Sequence, residues 1–152
     1  MAKQKRQSFE AGQFAEKLVA LGLKGRGWQI LEERWLCEKG EIDLIALDQT
    51  SADEVLVFIE VKARRQKNWD DNGLLSIDIR KQIKISQAAS LYLAFHPEYE
   101  SFACRFDVAL VQITPASSTN SEVVTSFPEL NVGGDRLKLY RYIPNAFEAI
   151  TE

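Results

Sequence analysis

Two strand-like runs constrain this chain more than anything else in it: Gly40-Glu41-Ile42-Asp43-Leu44-Ile45-Ala46 and Val57-Phe58-Ile59-Glu60-Val61-Lys62-Ala63-Arg64. Both are rich in β-branched and other apolar residues, the composition of a buried strand. Both also carry acids where such a strand should carry none. An unpaired carboxylate is costly to bury inside a sheet, so Asp43 and Glu60 require something to compensate them. A divalent metal ion would do so.

Side chains alternate along a strand, which sets Glu41 and Asp43 on one face of the first run and Glu60 and Lys62 on one face of the second. The polar stretch from Asp48 to Glu54 is long enough to turn an antiparallel pair. Asp43 and Glu60 can then meet across neighbouring strands, with Lys62 two positions further on. Two hard oxygen ligands beside a cation, with coordination positions left over, suit Mg²⁺, or Mn²⁺ in its place; Mg²⁺ keeps several waters and takes few protein carboxylates. In outline this is a site for phosphodiester hydrolysis. The plain alternative is a cross-strand ion cluster with no chemistry.

Asp43 followed by Glu60-Val61-Lys62 resembles the PD-(D/E)XK motif of restriction endonucleases and archaeal Holliday-junction resolvases. Gly12-x-x-Ala15-Glu16 precedes the two runs and Arg105-Phe106-Asp107-Val108 follows them. With these included, the chain more closely resembles the uncharacterised bacterial YraN family, UPF0102, from about Phe9 to Ile113. Ile42 stands where the motif's name has proline, and the stretch from Thr114 to Asp135 has no counterpart in the compact family core.

The resemblance implies a restriction-endonuclease-like α/β fold, a mixed sheet flanked by helices. It also implies a metal-dependent endonuclease or exonuclease acting on nucleic acid, DNA rather than RNA. Asp43, Glu60, Lys62 and Glu16 are then the catalytic residues, and Asp43, Glu60 and the backbone carbonyl of Val61 the metal ligands. Judged alone, Glu16 is a solvent-facing helix acid. Gln87 resembles the helix glutamine of RecB-like nucleases, although Tyr92 lies five residues on, off the expected spacing. Small nucleases of this kind act as homodimers, because two sites cut two strands; no dimer face can be read from the residues.

At 152 residues and 45% hydrophobic content the chain can bury one ordinary core, and a second full domain is not expected. A net charge of −3 argues against indiscriminate coating of nucleic acid, so any contact must use local patches. Three runs offer them: Lys3 to Arg6, Lys62 to Lys67 and Arg80 to Lys84. Within these, Arg64, Arg65, Lys81 and Lys84 are the expected phosphate contacts. Glu41 is read as a strand-edge charge, and Arg105 with Asp107 as a structural ion pair. Cys37 and Cys104 lie outside any C-x-x-C pattern and are expected to be buried, reduced thiols. His96 is a helix-end residue rather than a ligand. No run has the length of a membrane span and no secretory leader is apparent, so the expected setting is the cytoplasm, without membrane contact.

The expected organisation is a basic, flexible tail over 1–7 and a single domain over 8–152. The order is α-β-β-β-α-β, with a polar loop or insertion at about 114–136. The first helix runs from an N-cap at Ser8 to Gly22 and the first strand from Trp28 to Trp35. A loop follows the motif strands at Asn68 to Gly73, and a second helix runs from Asp78 to before Pro97. Strands follow at Ser101 to Ile113 and Leu137 to Ile143, with a turn at Asn131 to Asp135 and a short terminal helix after Pro144. Two other functions compete with the nuclease: a non-catalytic nucleic-acid-binding or scaffolding module that keeps the fold, and a structural domain acting through protein partners.

Overall fold

The computed structural model describes residues 2–50, 52–65, 77–117 and 126–150, with residues 2–9 described by their backbone alone. The elements are α1 (Ala2–Gly25), β1 (Gln29–Cys37), β2 (Gly40–Asp48), β3 (Val55–Arg64), α2 (Ile79–Phe95), β4 (Ala103–Pro115), β5 (Leu130–Val132) and β6 (Asp135–Phe147). This is the mixed α/β fold and the α-β-β-β-α-β order that the sequence predicts, extended by an edge hairpin.

The strands form one sheet in the order β1-β2-β3-β4-β6-β5. All neighbours are antiparallel except β3 and β4, which run parallel and are joined through α2. A parallel pair needs such a crossover, because no tight turn can reverse the chain twice. The alternation of β3 explains why both faces of the sheet are covered. Val57 and Ile59 pack with Leu18, Val19 and Leu23 of α1, while Leu56 and Phe58 pack with Ile85, Ala88 and Tyr92 of α2. By the same alternation Glu60 and Lys62 fall on the α2 side.

Several boundaries differ from expectation for physical reasons. Helix α1 begins at Ala2, so Ser8 is inside it and the basic tail expected over 1–7 is its first turns. It also runs past Gly22. The stop is at Gly27, where φ is +92°: the Gly27 N–H donates to Lys24 O and the Trp28 N–H to Leu23 O, both at 3.0 Å. That pair of bonds is a Schellman cap, and Trp28 and Leu23 make its apolar contact in the core. Gly22 instead gives room to the ring of Phe127, which occupies the space a Cβ would need.

Helix α2 is capped as the sequence indicates, the Lys81 N–H donating to Asp78 Oδ1 at 2.9 Å, and His96 is its C-cap. Of the polar stretch at 114–136, residues 118–125 lie outside the described residues; the remainder is structured. Strand β4 extends to Pro115, Phe127 is buried, and β5 pairs with β6 around a two-residue Gly133-Gly134 turn. Among the described residues no helix follows Pro144. Strand β6 continues to Phe147 through a register shift opposite 106–108, and that irregularity tolerates both Pro144 and the left-handed Asn145 (φ 50°). The loop expected at Asn68 to Gly73 lies outside the described residues. Cys37 is half-buried and Cys104 exposed, both unpaired, so burial does not protect the second thiol. No helix among the described residues is long and apolar enough to cross a membrane.

Candidate active site

The site forms where β2 and β3 part. Their paired positions end at Leu44 opposite Ile59, and beyond this point the Asp43 carboxylate, rather than a ladder carbonyl, takes the Val61 N–H at 2.8 Å to Oδ2. The Asp43 and Glu60 carboxyls lie beside each other and act on each other's proton affinity. Lys62 Nζ lies 4.0 Å from Glu60 Oε1, and Lys81 Nζ reaches the same oxygen at 3.5 Å from α2. On the other side Glu16 comes in from α1. Carboxylate oxygens of Glu16, Glu41 and Asp43 lie within 4.8 Å of one another. Arg34 of β1 donates from Nε to Glu16 Oε1 at 3.0 Å and sits 3.8 Å from Glu41 Oε1.

Burial sets the electrostatics. Glu60 is only 6% exposed and its acid is pushed up to about 8, first by desolvation and then by the charge of Asp43, while Lys81 and Lys62 pull the other way. Asp43 is raised as well, by burial, against the Val61 N–H and a hydrogen bond with Glu60. Glu16 is pushed up to about 7 by burial and by Asp43, with Arg34 opposing. Four acids therefore face three cations, an excess of one negative charge when all are ionised.

This donor set fits a hard divalent cation. Opposed oxygens on Mg²⁺ stand about 4.2 Å apart, and those on Ca²⁺ roughly 5 Å, so a cluster of this span needs little movement to close on an ion. Glu60 is buried and Glu16 and Asp43 are partly so; all three are acceptor-rich when ionised, and the proton affinity that burial raises favours exchanging a proton for an ion.

Of the residues expected at the site, Asp43, Glu60, Lys62 and Glu16 come together. Val61 meets the cluster through its N–H, and the carbonyl of the same strand residue points to the same side. Lys81, expected on a phosphate, lies 3.5 Å from Glu60 Oε1 with its side chain partly exposed. Arg65 is paired with Asp135 Oδ2 at 2.9 Å, which takes up much of the charge it was to offer. Arg64 and Lys84 are exposed at the end of β3 and on α2. Gln87 lines a shallow groove with Lys39, Ile83 and Leu91, apart from the acids. Arg105 and Asp107 are the structural pair expected: Asp107 is buried, takes two bonds from Arg105 at 2.9 and 3.1 Å, and also accepts from Tyr142 Oη and the Asn145 N–H.

Two members were missed. Glu41 shares the face of Asp43, a signal already present in the alternation. Arg34 could have been counted from the hairpin. With Cys37 opposite Gly40 across the 38–39 turn, the register puts Arg34 level with Asp43, between the pairs Glu33 with Leu44 and Trp35 with Ile42.

Fold and site together define a class: a helix-flanked mixed sheet whose central strands part around a buried acid cluster balanced by lysine and arginine. The sequence model of the uncharacterised protein family UPF0102 matches residues 15–111. The chain belongs to this family, the YraN family. A UPF0102 protein of Acaryochloris marina is 40% identical over 156 residues, covering 92% of this chain and 91% of the relative. One from Synechococcus elongatus is 43% identical over 135 residues, with 89% of each chain covered. One from a Synechocystis species is 37% identical over 148 residues, covering 91% of this chain and 97% of its own. The names of these relatives carry the family and no activity.

Proposed function

We propose that this domain is a Mg²⁺-dependent nuclease that hydrolyses phosphodiester bonds in nucleic acid, DNA with branched or frayed structure being the favoured substrate. The observation that carries this reading is the convergence of Asp43, Glu60 and Glu16 with Lys62 at the parting of two central strands. Asp43, Glu60 and Glu16 hold the ion, and the Val61 N–H fixes the carboxylate of Asp43. A bound Mg²⁺ or Mn²⁺ supplies an activated water and neutralises charge on the phosphate oxygens. Lys62 orients the attacking water and stabilises the negative charge that builds on the phosphorus centre. Lys81 restrains Glu60 in its ligand position. Arg64 and Lys84, both exposed, contact the phosphate backbone without reading sequence. A cytoplasmic setting and a dimer cutting two strands belong to the same reading.

A non-catalytic nucleic-acid-binding or scaffolding role is favoured by one observation: Arg34, Lys62 and Lys81 already lie against the acids. The two readings part on metal. Incubation with single-stranded, double-stranded, flapped and four-way-junction DNA and RNA should give cleavage with Mg²⁺ or Mn²⁺ and none with chelator. Asp43→Asn should abolish both cleavage and calorimetric Mg²⁺ binding. If the parent neither cuts any substrate nor binds metal, the cluster is structural and the nuclease reading fails.

A further inference from the structure

The groove that holds Gln87 has a volume of about 390 Å³ and lies on the outer side of α2. Ile85, Ala88, Ala89 and Tyr92 turn the opposite side of the helix into the core. Ile83, Gln87, Ser90 and Leu91 line the groove at spacings of four, three and one, so they share one helix face. Lys39, from the turn between β1 and β2, reaches the rim. Ile150 closes one side, its N–H donating to the buried Ser86 Oγ at 3.0 Å.

The polar groups here are unused. Gln87 is half-buried, yet its carboxamide has no hydrogen-bond partner among the described residues, and neither has the Ser90 hydroxyl. A carboxamide sets donors and an acceptor in one plane, the pattern that meets the edge of a base. Ile83 and Leu91 beside it offer an apolar surface for the base's face. Arg80, Lys84, Gln87 and Leu91 follow one another at spacings of four, three and four, which continues this side of α2 as a row of cations. Arg80, Lys84 and Lys39 are exposed and have no ion pair among the described residues, in a chain with a net charge of −3.

The acid cluster is within reach along two elements. Lys81, which lies on Glu60, is six residues before Gln87, on the order of 9 Å along the helix axis. Lys39 is four residues before Asp43, roughly 13 Å along an extended chain. A stacked strand advances about 3.4 Å per nucleotide and covers such a gap in about three or four nucleotides.

We infer that this groove holds an unpaired nucleotide of the substrate, a few nucleotides from the phosphate at the acid cluster. Its base lies on Ile83 and Leu91 with one edge against the Gln87 amide, and the neighbouring phosphates lie on Lys39, Lys84 and Arg80. A base inside a duplex enters such a groove only by leaving its stack, so the groove selects single strands. One premise comes from the nuclease reading, that nucleic acid lies at the acid cluster. Binding measured in chelator can fail while Mg²⁺-dependent cleavage stands, and can hold where cleavage fails.

The full chain in EDTA is titrated by anisotropy with a fluorescein-labelled oligodeoxyadenylate and with a blunt duplex of the same length. The parent should bind the single strand at least fivefold tighter than the duplex. Gln87→Leu should weaken single-strand binding at least fivefold and leave duplex binding unchanged. Should that variant lose stability, Gln87→Glu, of the same shape, carries the test and should weaken the single strand in the same way. Lys39→Gln should flatten the log–log salt dependence of single-strand binding by about 0.7, for one lost phosphate contact. AMP, which brings a base without neighbouring phosphates, should compete only weakly. Equal affinity of the parent for strand and duplex overturns the assignment, as do Gln87 variants that bind the single strand like the parent or weaken both forms alike. AMP binding as tight as that of the strand also overturns it.

Discussion

Arg34 holds a left-handed backbone with φ of 55°, a conformation that costs a residue with a Cβ about 1–2 kcal/mol. Strain of that kind persists only where the surroundings fix it, and here Glu16 and Glu41 fix the guanidinium. Backbone and charge can be separated by two substitutions. Arg34→Gln removes the charge and keeps the strain; Arg34→Gly removes both. In chelator at pH 8 both variants should unfold at lower denaturant than the parent, because Glu16 and Glu41 lose their counter-ion. The glycine variant should be the more stable of the two by about 0.5–1 kcal/mol, strain relief exceeding the added unfolded-state entropy. Equal stability would mean that the backbone is not strained. Asp43, Glu60 and Lys62 were readable because alternation and motif order both point to them. The pairing of Lys81 with Glu60 was not legible, because local spacing shows which face of a helix it shares, not which strand that face meets.

Gly22 and Phe127 tie α1 to the segment before β5. The ring fills the space of the missing Cβ, so Gly22→Ala must push the ring aside. Overpacking of this kind costs about 1–3 kcal/mol, and the gain in helix propensity from alanine, about 1 kcal/mol, offsets only part of it. The expected result is a lower urea midpoint with an unchanged m-value. In a Phe127→Leu background the same substitution should become neutral or stabilising, and additive effects in the two backgrounds would disprove the contact. The same pair explains what the sequence left hidden. Strands β2, β3 and β4 were readable from alternation and apolar runs, and α2 from Asp78 and Pro97, which act locally. Gly22 imitated a helix stop because a glycine required for packing and one required for a positive φ look alike in sequence. Strand β5 was missed because three residues carry too little periodicity, and only the pairing with β6 makes them a strand.

Folding brings Glu16, Glu41 and Asp43 within 4.8 Å of one another with Glu60 beside Asp43, and the molecule as a whole registers the consequence as a dependence on pH. Glu60 near 8 and Glu16 near 7 hold protons that the unfolded chain releases near the ordinary value of 4.5. Between these limits the folded state binds more protons than the unfolded state, so stability must fall as pH rises. The contribution is fully present below about pH 4.5 and lost above about pH 8. It is on the order of a few kcal/mol, because a tenfold change in proton affinity on folding is worth about 1.4 kcal/mol. Other carboxylates also titrate at the acid end, so the comparison must be with Glu16→Gln/Glu60→Gln, which lacks these two protons. In EDTA, urea midpoints of the parent should decline from about pH 5 to about pH 8.5 relative to the double variant. Saturating Mg²⁺ should abolish or reverse that relative decline, because the ion binds the ionised acids and gains affinity as protons leave. Calorimetry in buffers of different ionisation enthalpy should then register about one to two protons released per ion bound at pH 7, those that Glu60 and Glu16 hold in the metal-free cluster. A relative pH slope indifferent to Mg²⁺, with no proton release, would mean that Arg34, Lys62 and Lys81 complete the cluster by themselves and that no metal belongs there.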